Sequence, residues 1–168
     1  MKTLKVCAAA LLMIFLILGT VSAEEAVESG SEMEPLILMP ELRMPEVGEI
    51  APLFEITTVD GEPYNLENET EDKVVSIVFW SLFCAPCRRS MPILDELYKE
   101  IGNEKFELLA INMDGERMRE GVKNYVAEEG LSFVFLMDEF DGDSLKVADP
   151  YGVQGTPTIF MIGRSGNI

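Results

Sequence analysis

The chain has 168 residues, 48% of them apolar and 26% charged, so it can bury a core and is not a disordered polymer. It contains no His, which excludes Ser-His-Asp and Cys-His catalysis, haem ligation through His and every His-containing zinc site. A formal charge of −17 leaves no basic face to neutralise phosphates, so nucleic-acid binding is not expected.

Lys2 and Lys5 precede an uncharged apolar run from Ala8 to Gly19, and Val21-Ser22-Ala23 is a small-residue cleavage pattern. Residues 1–23 therefore read as a secretory signal, the alternative being an uncleaved membrane anchor. The run is shorter than the ~20 residues that a spanning helix prefers, which favours cleavage. Removal of this segment takes the charge to −19 and leaves two Cys, both in one C-x-x-C. Export places them in an oxidising compartment. The loop they close is too small for a disulfide there to act mainly as a staple.

Residues 24–47 are acidic and interrupted by Pro35, Pro40 and Pro45, the composition of a linker. One stretch within it, Leu36 to Met39, is apolar enough to dock. Met33, Met39 and Met44 could offer thioethers to copper(I), against the plainer reading of Met in a linker. A regular domain is expected over 48–168. Leu53–Thr57 and Tyr64–Leu66 read as strands around the turn dipeptide Asp60-Gly61. Asn68-Glu69-Thr70 is a formal glycosylation sequon. Val74–Trp80 is β-branched and aromatic and reads as a buried central strand. Met91, Leu94, Leu97, Tyr98 and Ile101 recur at helical spacing, closed by Gly102. Phe106–Ile111 is a second buried strand. Met118, Val122, Tyr125 and Val126 give a second helical face, closed by Gly130. Phe133–Met137 and Thr158–Ile162 complete the strands, Ser144–Ala148 reads as a short helical turn, and 164–167 as a turn. Strands alternating with helices predict an α/β fold with parallel crossovers.

The chemistry sits at Cys84-Ala85-Pro86-Cys87, between a strand and a helix. Cys84 falls at the helix N-terminus, where free N–H groups and the helix dipole stabilise a thiolate. Only the thiolate attacks a disulfide, so Cys84 is the expected nucleophile and Cys87, one turn on, the resolving thiol. Pro86 lacks an N–H and suits the first helical turn. The leading competitor for a C-x-x-C is metal. A tetrahedral zinc site needs four ligands, and the mature chain offers two Cys and no His. Haem attachment would need His where Arg88 stands. Thr156-Pro157 opens the last strand. It is compatible with a cis peptide that sets backbone beside the dithiol, or with a trans Pro at a strand start.

Ala51-Pro52-Leu53-Phe54, the run Phe79 to Arg88, Met91-Pro92 and Tyr151 to Thr158 resemble thioredoxin-fold proteins of the TlpA/ResA type, within the redoxin (AhpC/TSA-like) group. The resemblance covers 48–168. It implies a thioredoxin-like fold with a central mixed sheet and flanking helices. It also implies extracytoplasmic thiol–disulfide exchange, most often as a reductant in cytochrome c maturation or metal-centre assembly. Trp80, Cys84, Pro86, Cys87 and Pro157 stand at motif positions, with Phe83, Ala85 and Thr156 beside them, and Pro157 is implied to be cis. No cofactor is expected beyond the Cys84–Cys87 couple. The implied partners are client proteins with Cys pairs and a membrane dithiol donor, and contact with a membrane only through an uncleaved anchor. The implied location is the periplasm or cell envelope.

The sequence departs from the pattern at three positions near the dithiol. Ser90 stands where many relatives carry Glu, Phe83 where many carry Trp, and Val78 where many carry Asp or Asn. A carboxylate there can take the proton of the resolving thiol, so the proton route differs. Relatives also continue past Gly166-Asn167 into a final strand and helix, whose absence is expected to expose a sheet edge and an apolar patch. A peroxiredoxin-type peroxidase would show Pro-x-x-x-Thr-x-x-Cys, and a copper-delivery protein C-x-x-x-C with a distant His. The sequence has neither.

Overall fold

The computed structural model describes residues 43–70 and 73–168. The signal, most of the linker and the Leu36–Met39 stretch lie outside the described residues. The elements run in the order β1 (Glu55–Thr58), β2 (Pro63–Asn65), a single-turn α1 (Glu67–Thr70), β3 (Val74–Trp80) and α2 (Ala85–Ile101). They continue with β4 (Phe106–Asn112), α3 (Arg119–Glu129), β5 (Val134–Met137), a small hairpin of β6 (Phe140–Asp141) and β7 (Ser144–Leu145), and β8 (Thr158–Ile162).

One mixed sheet has the order β2-β1-β5-β4-β3-β8. β3 lies parallel to β4 and β4 to β5, the crossovers expected when helices separate strands. β8 returns antiparallel to β3, placing Phe79 opposite Thr158. Alternation along β3 divides its side chains between two cores. Val75, Ile77 and Phe79 join Phe54, Tyr151 and Phe160 on one face. Val78 and Trp80 join Cys87, Met91, Leu108 and Phe135 on the other, beneath α2 and α3. Both faces of β3 are therefore covered, which is why its sequence is apolar almost without interruption. β8 is the outer strand, and Ile159 and Met161 on it are about half exposed.

Two expectations differ from the structure. Residues 144–148 do not make a helical turn. Phe140–Asp141 and Ser144–Leu145 form a hairpin, because Gly142 adopts φ +64° and reverses the chain. The following turn is held by carboxylates as well as by one backbone bond of helical type, from the Tyr151 N–H to the Val147 carbonyl (3.2 Å). Buried Asp138 accepts from the N–H of Val147 (3.0 Å) and Ala148 (2.8 Å), and Asp149 accepts from that of Leu145 (3.0 Å). Ordered structure also reaches back into the stretch read as linker. Arg43 forms a bidentate pair with Glu49 (2.7 and 3.0 Å), and the Glu46 N–H donates to the same carboxylate (2.8 Å). Gly48 and Ala51 donate to the carbonyls of Ile168 and Gly166. Gly152, at φ +62°, faces this strap so closely that a Cβ would stand 2.3 Å from the Arg43 carbonyl carbon.

The strap has a pH signature. Hydrogen bonding to Arg43, then the Glu46 N–H, lowers the Glu49 carboxyl from 4.5 to about 2. A depressed folded-state value adds stability above the unfolded value, which is lost as pH falls through the folded one. Hydrogen exchange at Glu46 is therefore expected to accelerate between pH 4.5 and 2 relative to amides in β3. A strap that frays no faster than β3 across that window contradicts the assignment.

Candidate active site

α2 begins a short loop after β3 ends, and three features mark its first turn. Cys84 is the N-cap, in extended conformation, Pro86 lies in the first turn, and no acidic residue occupies that turn. The Cys84 Sγ accepts from the Cys87 N–H at 3.2 Å, so sulfur fills the role that a Ser or Asp oxygen usually plays at this position. A negative sulfur there faces the positive end of the helix with no carboxylate in the first turn opposing it. Cys84 and Cys87 are joined by a disulfide, with Cα atoms 5.3 Å apart. Cys84 is half-buried, whereas Cys87 is 1% exposed among Val78, Trp80 and Met91. One sulfur is thus reachable from solvent and the other is set into the core.

The residues singled out in the sequence gather at one end of the sheet. Trp80 is fully buried at the end of β3, with its ring 5.4 Å from Tyr125 and 5.8 Å from Phe135. Phe83 is 78% exposed beside Cys84, and Ala85 and Pro86 are also exposed. Thr156-Pro157 is a cis peptide. Because Thr158 pairs with Phe79, it lies beside the end of β3 from which the dithiol loop departs. The turn before it is pinned by the Thr158 hydroxyl, which donates to the Gly155 carbonyl at 2.7 Å. A cavity of about 520 Å³ runs along this turn, lined by Met44, Gly152, Gln154, Thr156 and Pro157 among others. The departures also have a structural outcome. Val78 is buried in the apolar core that holds Cys87. The Ser90 hydroxyl donates within α2, to the carbonyls of Pro86 (2.8 Å) and Cys87 (3.2 Å).

Sequence reasoning missed two groups at this end. Pro92 has no N–H for the carbonyl of Arg88, four residues earlier. The Tyr125 hydroxyl from α3 donates to that carbonyl at 3.2 Å. Burial, reinforced by the charge of Glu129, raises the Tyr125 phenol above its ordinary value, which keeps it a donor at neutral pH. The second group is Ser81, Asn112 and Asp114. Asp114 follows β4 and accepts from the Ser81 hydroxyl (2.6 Å) and the Leu82 N–H (2.7 Å). The signal for it was the pairing of polar Asn112 and Asp114 directly after the apolar run Leu108–Ile111.

The Redoxin family profile matches residues 46–168. The chain is 32% identical over 123 residues to the thiol-disulfide oxidoreductase ResA of Bacillus anthracis, covering 73% of this chain and 67% of that protein. It is 35% identical over 121 residues to the ResA of Halalkalibacterium halodurans, covering 72% and 65%. It thus spans about two thirds of the length of these relatives. Among solved structures, a putative thiol:disulfide interchange protein DsbE from Chlorobium tepidum superposes with a TM-score of 0.63 at 28% identity, covering 73% of this chain and 82% of that one.

Proposed function

We propose that this chain, which belongs to the redoxin family and is a ResA-like thioredoxin-fold thiol–disulfide oxidoreductase, acts outside the cytoplasm as a reductant of client proteins through Cys84 and Cys87. The observation that carries the reading is the asymmetry of the pair: a reachable sulfur capping a helix and a buried sulfur one turn below. In the reduced protein the Cys84 thiolate attacks one sulfur of a client disulfide. The client S–S bond breaks, one client thiolate leaves, and a mixed disulfide forms. The Cys87 thiol then gives up its proton and attacks the Cys84 sulfur. The mixed disulfide breaks and the second client thiolate leaves. The client has gained two electrons and leaves as two thiolates, which take up protons from water, and the protein holds the Cys84–Cys87 disulfide. A dithiol donor resets it by the reverse exchange.

With Val78 and Ser90 in place of carboxyl or amide side chains, water takes the proton of Cys87. Phe83, exposed next to Cys84, and the cis-Pro157 turn beside the end of β3 are assigned to the client side, offering an apolar face and a stretch of backbone to an extended client segment. Trp80 forms the floor beneath, and Ala85 and Pro86 shape the first helical turn. No cofactor is needed beyond the cysteine couple. Export rests on the 1–23 signal, and a membrane dithiol as donor on the family resemblance, as does a role of the cytochrome c maturation or metal-centre assembly type. The envelope location follows from the same signal.

Equilibration of the purified protein in thiol redox buffers tests the direction. A reductant is expected near the thioredoxin potential of about −270 mV, and a value near about −120 mV would make the protein an oxidant and overturn the proposed client class.

A further inference from the structure

We propose that Asp114 is a positioning residue for the dithiol, holding the loop that delivers Cys84 to the helix N-terminus. The inference rests on the reading of Cys84 as the attacking thiol and adds a residue to it. Asp114 Oδ1 accepts from the Ser81 hydroxyl at 2.6 Å. Its Oδ2 accepts from the Leu82 N–H at 2.7 Å and from the Asn112 side-chain amide at 3.0 Å. Its own N–H donates to Asn112 Oδ1 at 2.9 Å, and Asn112 is fully buried opposite Trp80 in the β3–β4 register. The carboxylate is thereby fixed to the rigid end of the sheet.

Ser81 passes the restraint onward. Its hydroxyl oxygen accepts from the Phe83 N–H at 3.0 Å, and its carbonyl accepts from the Cys84 N–H at 3.1 Å. Each N–H from Leu82 to Cys84 is therefore bound either by Asp114 or by a residue that Asp114 holds. Hydrogen bonds to an ionised acceptor are about twice as strong as neutral ones, so a carboxylate is the suitable clamp here. What the clamp secures is the place of the Cys84 Sγ at the helix end, where it accepts from the Cys87 N–H. Asp114 acts through the loop and not on sulfur.

The charge of Asp114 and its grip on the loop have opposite effects on the thiol, which makes them separable. A nearby negative charge disfavours a thiolate, so removing charge alone lowers the thiol pKa. Loosening the loop takes sulfur away from the helix end and raises it. Asp114→Asn removes the charge but keeps the grip. The amide oxygen still accepts from the Leu82 N–H, and the amide nitrogen donates to the free lone pair of the Ser81 hydroxyl. Asp114→Ala removes both. Ser81→Ala leaves the charge and cuts the restraint on Phe83. Arg88 and Arg89, the cations that follow Cys87 on α2, are unchanged in all three variants.

The experiment is the pH dependence of iodoacetamide alkylation at Cys84 in the reduced full-length protein, followed by the mass of the Cys84 peptide. Asp114→Ala is expected to raise the pH midpoint and slow alkylation at pH 7 by about tenfold. Ser81→Ala is expected to act in the same direction by about threefold, and Asp114→Asn to remain within about twofold of wild type. An Asp114→Ala midpoint equal to or below that of wild type overturns the proposal, as does Asp114→Asn behaving like Asp114→Ala. If Asp114→Ala does not fold, Ser81→Ala and Asp114→Asn decide it, and a wild-type profile in Ser81→Ala overturns it. Alkylation needs no client, so a protein that fails to reduce disulfides rejects the proposed function and leaves this test intact.

Discussion

Replacing Cys84 with Ser is expected to reduce protein-disulfide reduction to the uncatalysed background, because a serine hydroxyl does not exchange with a disulfide at neutral pH. Replacing Cys87 with Ser is expected to have a different consequence. Cys84 keeps its place as the half-buried helix cap and still attacks, but the mixed disulfide has no internal thiol to break it. The Cys87→Ser protein should therefore accumulate as a covalent adduct with client, seen as a reducible high-mass band and as the sum of two masses. The exposures predict this order of roles, since a sulfur 1% exposed cannot readily be the first to meet a protein client. Adduct in Cys84→Ser and none in Cys87→Ser would reverse the roles. Full turnover in Cys84→Ser would remove the dithiol from the mechanism.

A large loss of stability is expected at Tyr151. Its ring is fully buried on the sheet face against residues of β3 and β8, with centroids 5.0 Å from Phe160, 5.6 Å from Phe79 and 6.4 Å from Phe54. Its hydroxyl donates to the Pro52 carbonyl at 2.9 Å, and burial raises the phenol above its ordinary value, so it remains a donor through neutral pH. Tyr151→Ala removes the ring and leaves a cavity in a cluster that cannot easily collapse. A cost of about 3–5 kcal/mol is expected, as for other buried aromatics. Tyr151→Phe keeps the ring and leaves one carbonyl without its donor, for about 1 kcal/mol. Urea unfolding checks both, read as a shift in midpoint at constant slope. A domain is typically stable by only about 5–15 kcal/mol, so the alanine variant is expected to be marginal. Equal midpoints for the two variants would show that the ring contacts contribute little and the hydroxyl nearly everything.

The same position bears on function. Tyr151 anchors the chain just before Gly152, where the strap from Arg43 approaches, and before the cis Thr156–Pro157 peptide. The core that stabilises the domain thus also holds the cis-Pro turn beside the end of β3. The active end of the sheet is built from three separate returns of the chain: the loop after β3, the loop after β4, and the turn before β8.

Elements governed by local rules were legible from the residues alone. Val74–Trp80 and Thr158–Ile162 were legible as strands because β-branched and aromatic residues dominate them, and they appear with those bounds. The helix ends at Gly102 and Gly130 were legible because the chain there takes positive φ, which glycine adopts without strain. The placement of C-x-x-C at a helix N-terminus followed from a strand before it and a helical period after it. Pro157 was open to two conformations from its residues alone, and the family resemblance implied the cis form that the structure has. The hairpin at 140–145 was missed because its strands are only two residues each, too short for any period to register.

Contacts between groups distant in sequence were not legible there and came only with the fold. Asp114 reaches Ser81 and Leu82 across more than thirty residues, Tyr125 reaches the carbonyl that Pro92 leaves free, and the strap at Arg43 packs against Gly152. A polar residue in a loop has no periodicity, and its partner is set by strand order and register. Those are fixed by burying both faces of the sheet at once, which is a property of the whole chain and not of any window within it.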